Sequence, residues 1–205
     1  MLNKKIVFEG QKGLYSTTGI IALPANESPK VKEAEKILQK LGFDLLGDLS
    51  CSQFAAVVIY CYVKPEGNTW ATIMKTVTEQ GESKFAGYEF FTDFSSGASL
   101  TTTITKLAIE DFKAQKIFRR SHPDLGPLEL YNRHQAYIQE LEQKQGMAKT
   151  VDDTLEAIAA SIDDYLVRQN SNSIQTITST IATYINAIGI VLNKEISIGS
   201  GKREG

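Results

Sequence analysis

Residues 53–107 carry two hairpins in succession, and they limit what the chain can fold into. QFAAVVIYCYV is a long apolar run rich in β-branched and aromatic residues. KPEGN follows as a tight connection, and then TWATIMKTVTE alternates. KFAGYEFFTDF, the turn SSG and ASLTTTITKL repeat the arrangement. Strand-like runs joined by short Pro/Gly/Asn/Ser turns are hairpins. Parallel neighbours would need long crossovers, so four strands this close in sequence predict an antiparallel meander.

The flanks predict helices. ANESPKVKEAEKILQKLGF has Ser28 as N-cap, Pro29 at the first helical position, and Val31, Ala34, Ile37, Leu38 and Leu41 on one face. FDLLGDLS is expected to be a strand. KIVF and GIIAL read as two short N-terminal strands with EGQKGLYST as turn material between them. LAIEDFKAQKIFRRSHPDLG is mixed in character and ends in a loop. PLELYNRHQAYIQELEQKQG is a helix, with Glu129 at its third position and Gly146 at its end. VDDTLEAIAASIDDYLVRQ is another, stepping through Val151, Leu155, Ile158, Ile162 and Tyr165, with Thr150 as its cap. Ile174, Ile177, Ile181, Tyr184, Ile188 and Val191 step by three and four, which predicts a third C-terminal helix despite their β-branching. The fold class expected is α+β: an antiparallel β-meander packed with an N-terminal helix, followed by two to three C-terminal helices. The division is a mainly β domain over 1–125, a helical section over 126–198 packed on it or used for association, and a disordered tail over 199–205.

Charge and cysteine usage narrow the function. A net charge of −2 disfavours a dedicated nucleic-acid surface. Cys51 and Cys61 make neither a disulfide framework nor a zinc pattern. With MLNKKIVFEGQKG lacking a secretory apolar run, the expected location is cytoplasmic. Gln169 to Asn193 carries no charge but is too rich in Ser, Thr and Asn to span a membrane. It reads as a protein-facing helix.

Both histidines fall in RRSHPDLGPLELYNRH, residues 119–134. Arg119, Arg120, His122, Arg133 and His134 lie near a helix start, where free N–H groups and the helix dipole favour an anion. Tyr131 is on the same helix. The bland reading is a solvated basic turn, with His134 a hydrogen-bonded residue on a stripe with Leu130, Tyr137 and Leu141. His122-Pro123-Asp124 matches the tripeptide of J-domains, but sheet rather than a basic helix precedes it, and Pro123 and Asp124 have local turn-forming roles. No nucleophile elbow is present. A phosphate loop is excluded because Ile196 stands where glycine is required. No catalytic residue, metal ligand or cofactor is assigned.

LGF, the hairpin around YVKPEGNTWATIM, SSGASLTTT and the LYNRH helix together resemble a domain of uncharacterised bacterial proteins. That resemblance covers about half of the chain and implies the α+β architecture, with Leu130, Tyr131 and His134 in its packing pattern, and no activity. The function expected is non-catalytic protein interaction or self-association through the C-terminal helices, using Ile177, Ile181, Tyr184, Ile188 and Val191. The alternative is a small-ligand or anion-binding domain, or an enzyme, using the Arg/His cluster at 119–134.

Overall fold

The computed structural model describes residues 15–17, 23, 27–51, 54–77, 83–106 and 111–170. Their strands form one eight-stranded sheet in the order β1-β2-β3-β4-β5-β6-β8-β7. The strands are β1 (Tyr15–Thr17), β2 (Asp44–Cys51), β3 (Phe54–Val63), β4 (Trp70–Val77), β5 (Ser83–Asp93), β6 (Ser99–Thr103), β7 (Asp111–Phe112) and β8 (Ile117–Ser121). The helices are α1 (Pro29–Lys40), α2 (Pro127–Gln145) and α3 (Leu155–Asn170).

The meander of β3 to β6 is antiparallel throughout. Its first turn closes when Gly67 N–H donates to the Lys64 carbonyl at 2.9 Å. A Cβ at Gly67 would lie 2.9 Å from that same oxygen, so only glycine fits there. The α+β architecture is as the hairpins require, with two corrections. Tyr15–Thr17, read as turn material, is a strand paired with β2. The mixed run after Thr105 contains β7 and β8, and β8 runs parallel to β6. The intervening residues carry the chain back to the start of β6, which is what a parallel neighbour needs. The N-terminal runs 5–8 and 19–22 and the tail 199–205 lie outside the described residues.

Helices cover both faces. Ser28 caps α1 by accepting from Val31 N–H, and Val31, Ala34 and Leu38 are buried against Tyr60, Tyr62, Ile73 and Phe90. The Glu129 carboxylate accepts from Gly126 N–H at 3.0 Å and starts α2 on the same face. The buried stripe of α2 is Leu130, His134, Ile138 and Leu141, and Tyr137 turns aside. α3 covers the opposite face, where Ile158 joins Leu49, Ile59, Cys61, Trp70 and Met74. Its cap is not Thr150: the Thr154 hydroxyl accepts from Ala157 N–H at 3.2 Å. Residues 149–153 instead form a strap without regular secondary structure, held by Val151 N–H on the Gly67 carbonyl at 2.9 Å.

Candidate functional site

Strand register sets the chemistry beneath α3. Directly opposed residues share a face, so Val63, Trp70, Phe91, Thr101 and Arg119 form one row across β3, β4, β5, β6 and β8. Cys61, Thr72, Glu89, Thr103 and Ser121 form the next. The first row begins apolar, with Trp70 stacked on Phe91 at 4.0 Å between ring centroids. It ends polar. α3 matches the change, with Leu155, Ile158 and Ile162 over the apolar half and Tyr165 and Arg168 over the polar half.

Arg119 is the exceptional member of the row. It is only 6% exposed. Its Nε is buried with no hydrogen-bond partner among the described residues. Buried arginine is ordinarily paired, because a desolvated charge without a counter-charge is costly. The Thr72 hydroxyl, in the adjoining row, is also buried without a partner. Burial pushes the Tyr165 phenol above its usual range, Glu89 adds to that, and the positive charge of Arg119 opposes it. At the end of α3, Arg168 donates to the Gly97 carbonyl at 2.9 Å, the Gln115 carbonyl at 3.4 Å and Ser99 Oγ at 2.6 Å.

The five side chains of the 119–134 cluster do not converge. Arg119 and Arg120 are consecutive on β8 and face opposite sides of the sheet. Arg120 Nη1 donates to Asp111 Oδ1 at 2.5 Å, and its guanidinium lies 5.6 Å from the Tyr137 ring centre. His122 reaches the same tyrosine, with Nε2 3.0 Å from its hydroxyl and the two rings stacked. Arg120 and His122 therefore meet on Tyr137, while Arg133 is exposed on α2. His134 is fully buried, with Nδ1 2.8 Å from the Thr102 hydroxyl and Nε2 3.0 Å from that of Thr92. Thr92 donates its one proton to the Asn68 carbonyl. It therefore accepts from Nε2–H, and Thr102 donates to Nδ1. Tyr131 accepts from Lys64 Nζ at 3.2 Å. Ile177, Ile181, Tyr184, Ile188 and Val191 lie outside the described residues.

Two further features flank the sheet. A cleft of about 410 Å³ opens between α3, the 149–152 strap and the β5–β6 turn. Two of its carboxylates are engaged: Asp93 accepts from the Ser99 hydroxyl, and Asp164 accepts from Arg168 Nε at 2.7 Å. On the α1 face, the Glu27 carboxylate accepts from Lys75, from Tyr60 at 2.6 Å, from Ser83 at 2.7 Å and from Ser28 N–H at 2.8 Å. Sequence reading missed this knot. Its signal was Lys75, which shares the inward face of its strand with Ile73 and needs an acid there.

Among the described residues no group of His, Cys, Asp and Glu side chains is arranged to hold a metal ion, and no helix is long and apolar enough to cross a membrane. Searches against protein-family models, curated proteins and solved structures find no match to this chain.

Proposed function

We propose that this protein binds a small anion, a carboxylate or phosphate, at Arg119 beneath α3. The supporting observation is an arginine buried on the sheet face whose Nε has no hydrogen-bond partner among the described residues. A fold that retains such a group bears its desolvation cost in every molecule. Pairing with a ligand anion offsets that cost, and a guanidinium suits the task because its planar donors take a carboxylate or phosphate through two parallel bonds. Thr101, directly opposite on β6, and Tyr165 of α3 bring hydroxyls beside it that orient a ligand without adding charge. Of the two functions the sequence left open, the buried cation favours ligand binding. It also moves the site from the whole 119–134 cluster to one of its members.

The test is titration of the isotopically labelled full chain with inorganic phosphate and, separately, with succinate, following the arginine Nε–H signals by magnetic resonance. One signal, identified by its loss in Arg119→Gln, is expected to shift to saturation with at least one probe. An Arg119 signal indifferent to both at concentrations of tens of millimolar contradicts the proposal.

A further inference from the structure

The flank of α3 carries a second site, independent of Arg119. We infer that the cleft between α3, the 149–152 strap and the β5–β6 turn binds a protonated organic amine. Asp93, Asp152 and Asp164 take its charge, and Trp70, Val151 and Ile158 take its apolar body.

The volume of the cleft, about 410 Å³, falls in the range of about 300–1,000 Å³ that small-molecule sites occupy. Both of its walls are fixed. The strap is held by the bridge of Ala148 to Phe94, by Lys149 N–H on the Asp93 carbonyl at 2.8 Å and by Val151 N–H on the Gly67 carbonyl. The helix wall is held by Ile158, packed in the cluster of Leu49, Cys61, Trp70 and Met74. Toward the cleft α3 presents Ala157, Ala160 and Ser161, whose short side chains leave the gap open. The space is therefore formed before a ligand arrives.

The lining selects the ligand's charge. Three carboxylates line the cleft, against two cations, Lys149 and Arg168. Arg168 turns its donors onto the protein, with Nε on Asp164, Nη1 on the Gly97 carbonyl and Nη2 on Ser99 Oγ. Lys149 is exposed. The hydrogen bonds made to the acids use Asp93 Oδ1, Asp152 Oδ1 and Asp164 Oδ2, and each carboxylate has a second oxygen to offer. An anion entering here would meet acceptors, whereas an ammonium group meets charged partners for its N–H donors. The three acids come from β5, the strap and α3, and no acids among the described residues are grouped to hold a metal ion. Separated carboxylates beside an apolar wall suit a cation that carries its own apolar body. Trp70 and Ile158, both buried, supply most of that wall.

Trp70 is the chain's single tryptophan and lines the cleft, so its emission reads the site directly. The full chain is titrated at pH 7 and constant ionic strength with benzylamine, benzyl alcohol and benzoate. These share one ring and differ in charge. Benzylamine is expected to change Trp70 emission to saturation, with benzyl alcohol about tenfold weaker and benzoate without effect, as a charged hydrogen bond implies. Asp164→Asn, at an exposed position, is expected to weaken benzylamine by about tenfold and leave benzyl alcohol unchanged. Ala157→Leu fills the cleft and is expected to abolish both responses. Benzylamine that fails to saturate, or that binds no more tightly than benzyl alcohol, overturns the inference on the unmodified chain alone, whatever the variants do. A benzylamine response that survives Ala157→Leu in a folded chain places the binding elsewhere and overturns it too.

Discussion

The Glu27 carboxylate accepts the Tyr60 phenol at 2.6 Å, across 33 residues of sequence. Lys75 and Ser83 bond to the same carboxylate from two neighbouring strands, so this one side chain fastens the entry to α1 onto the sheet. Burial raises its pKa, but the hydrogen bonds from Lys75, Tyr60, Ser83 and Ser28 N–H outweigh burial and hold it at about 2, against an ordinary 4.5. A depressed carboxylate pKa contributes stability that is fully present above 4.5 and lost as pH falls toward 2. Glu27→Gln is expected to cost about 3 kcal/mol at pH 7, with the gap to the unmodified chain closing below pH 4.5. Denaturant unfolding of both chains between pH 7 and pH 2.5 measures it, and a gap independent of pH would assign the loss to something other than this carboxylate's charge.

His134 titrates in a different window. Burial alone lowers its pKa to about 3, and the neutral ring is already satisfied by Thr92 and Thr102. The folded state favours the neutral form, so stability is complete above the ordinary 6.5 and falls as pH drops from there toward 3. The expected slope is about 1.4 kcal/mol per pH unit below 6. His134→Gln should lack that slope, and its stability curve should run flatter than that of the unmodified chain between pH 6 and pH 4.5. Parallel curves would mean that the imidazole charges without unfolding cost.

The hairpins, α1 and α2 were legible because each is specified locally, by alternation, by Ser28-Pro29, or by Gly126 with Glu129. β7 and β8 were not. Asp111–Phe112 is too short to show a period, and Ile-Phe-Arg-Arg-Ser alternates apolar and basic residues only if one accepts an arginine facing inward. That inward arginine is the feature proposed to carry function, so the residue that obscured the strand is also the one that marks the site. The cap of α3 was misplaced for a different reason. Thr150 and Thr154 are equivalent by pattern, and only the strap bond from Val151 to Gly67 decides between them.

Arg119→Met is expected to separate stability from function. An apolar side chain of similar length removes an unpaired buried charge and keeps the packing under Tyr165. Such replacements are neutral or stabilising by about 1–4 kcal/mol. Thermal unfolding should therefore show an unchanged or raised midpoint, together with loss of the phosphate- or succinate-dependent rise that binding confers on the native chain. A substantial drop in midpoint would show that the guanidinium has a structural partner.

Gly146 ends α2 at φ +77°, where side chains are strained, and a Cβ there would meet the Ser95 hydroxyl. Gly146→Ala is expected to cost about 1–3 kcal/mol. Pairing it with Ser95→Gly relieves the collision and should recover part of that loss but not the backbone term. The double-mutant cycle, read by denaturant unfolding, divides the two contributions. Full recovery would remove the backbone strain from the account.

The chain's single tryptophan reports on α3 directly. Trp70 is 4% exposed, stacks on Phe91 and belongs to the same cluster as Ile158. Ile158→Ala opens a cavity at the contact that holds the helix, with an expected cost of about 2–4 kcal/mol. If α3 docks as a unit separable from the sheet, Trp70 emission should shift to the red and quench more readily in this variant while the strand signal in far-ultraviolet dichroism persists. Arg168→Ala should leave Trp70 emission unchanged, because the contacts it removes, to Gly97, Ser99 and Gln115, lie at the far end of the helix. A red shift in Arg168→Ala would mean that losing these contacts disturbs the apolar end of α3 as well.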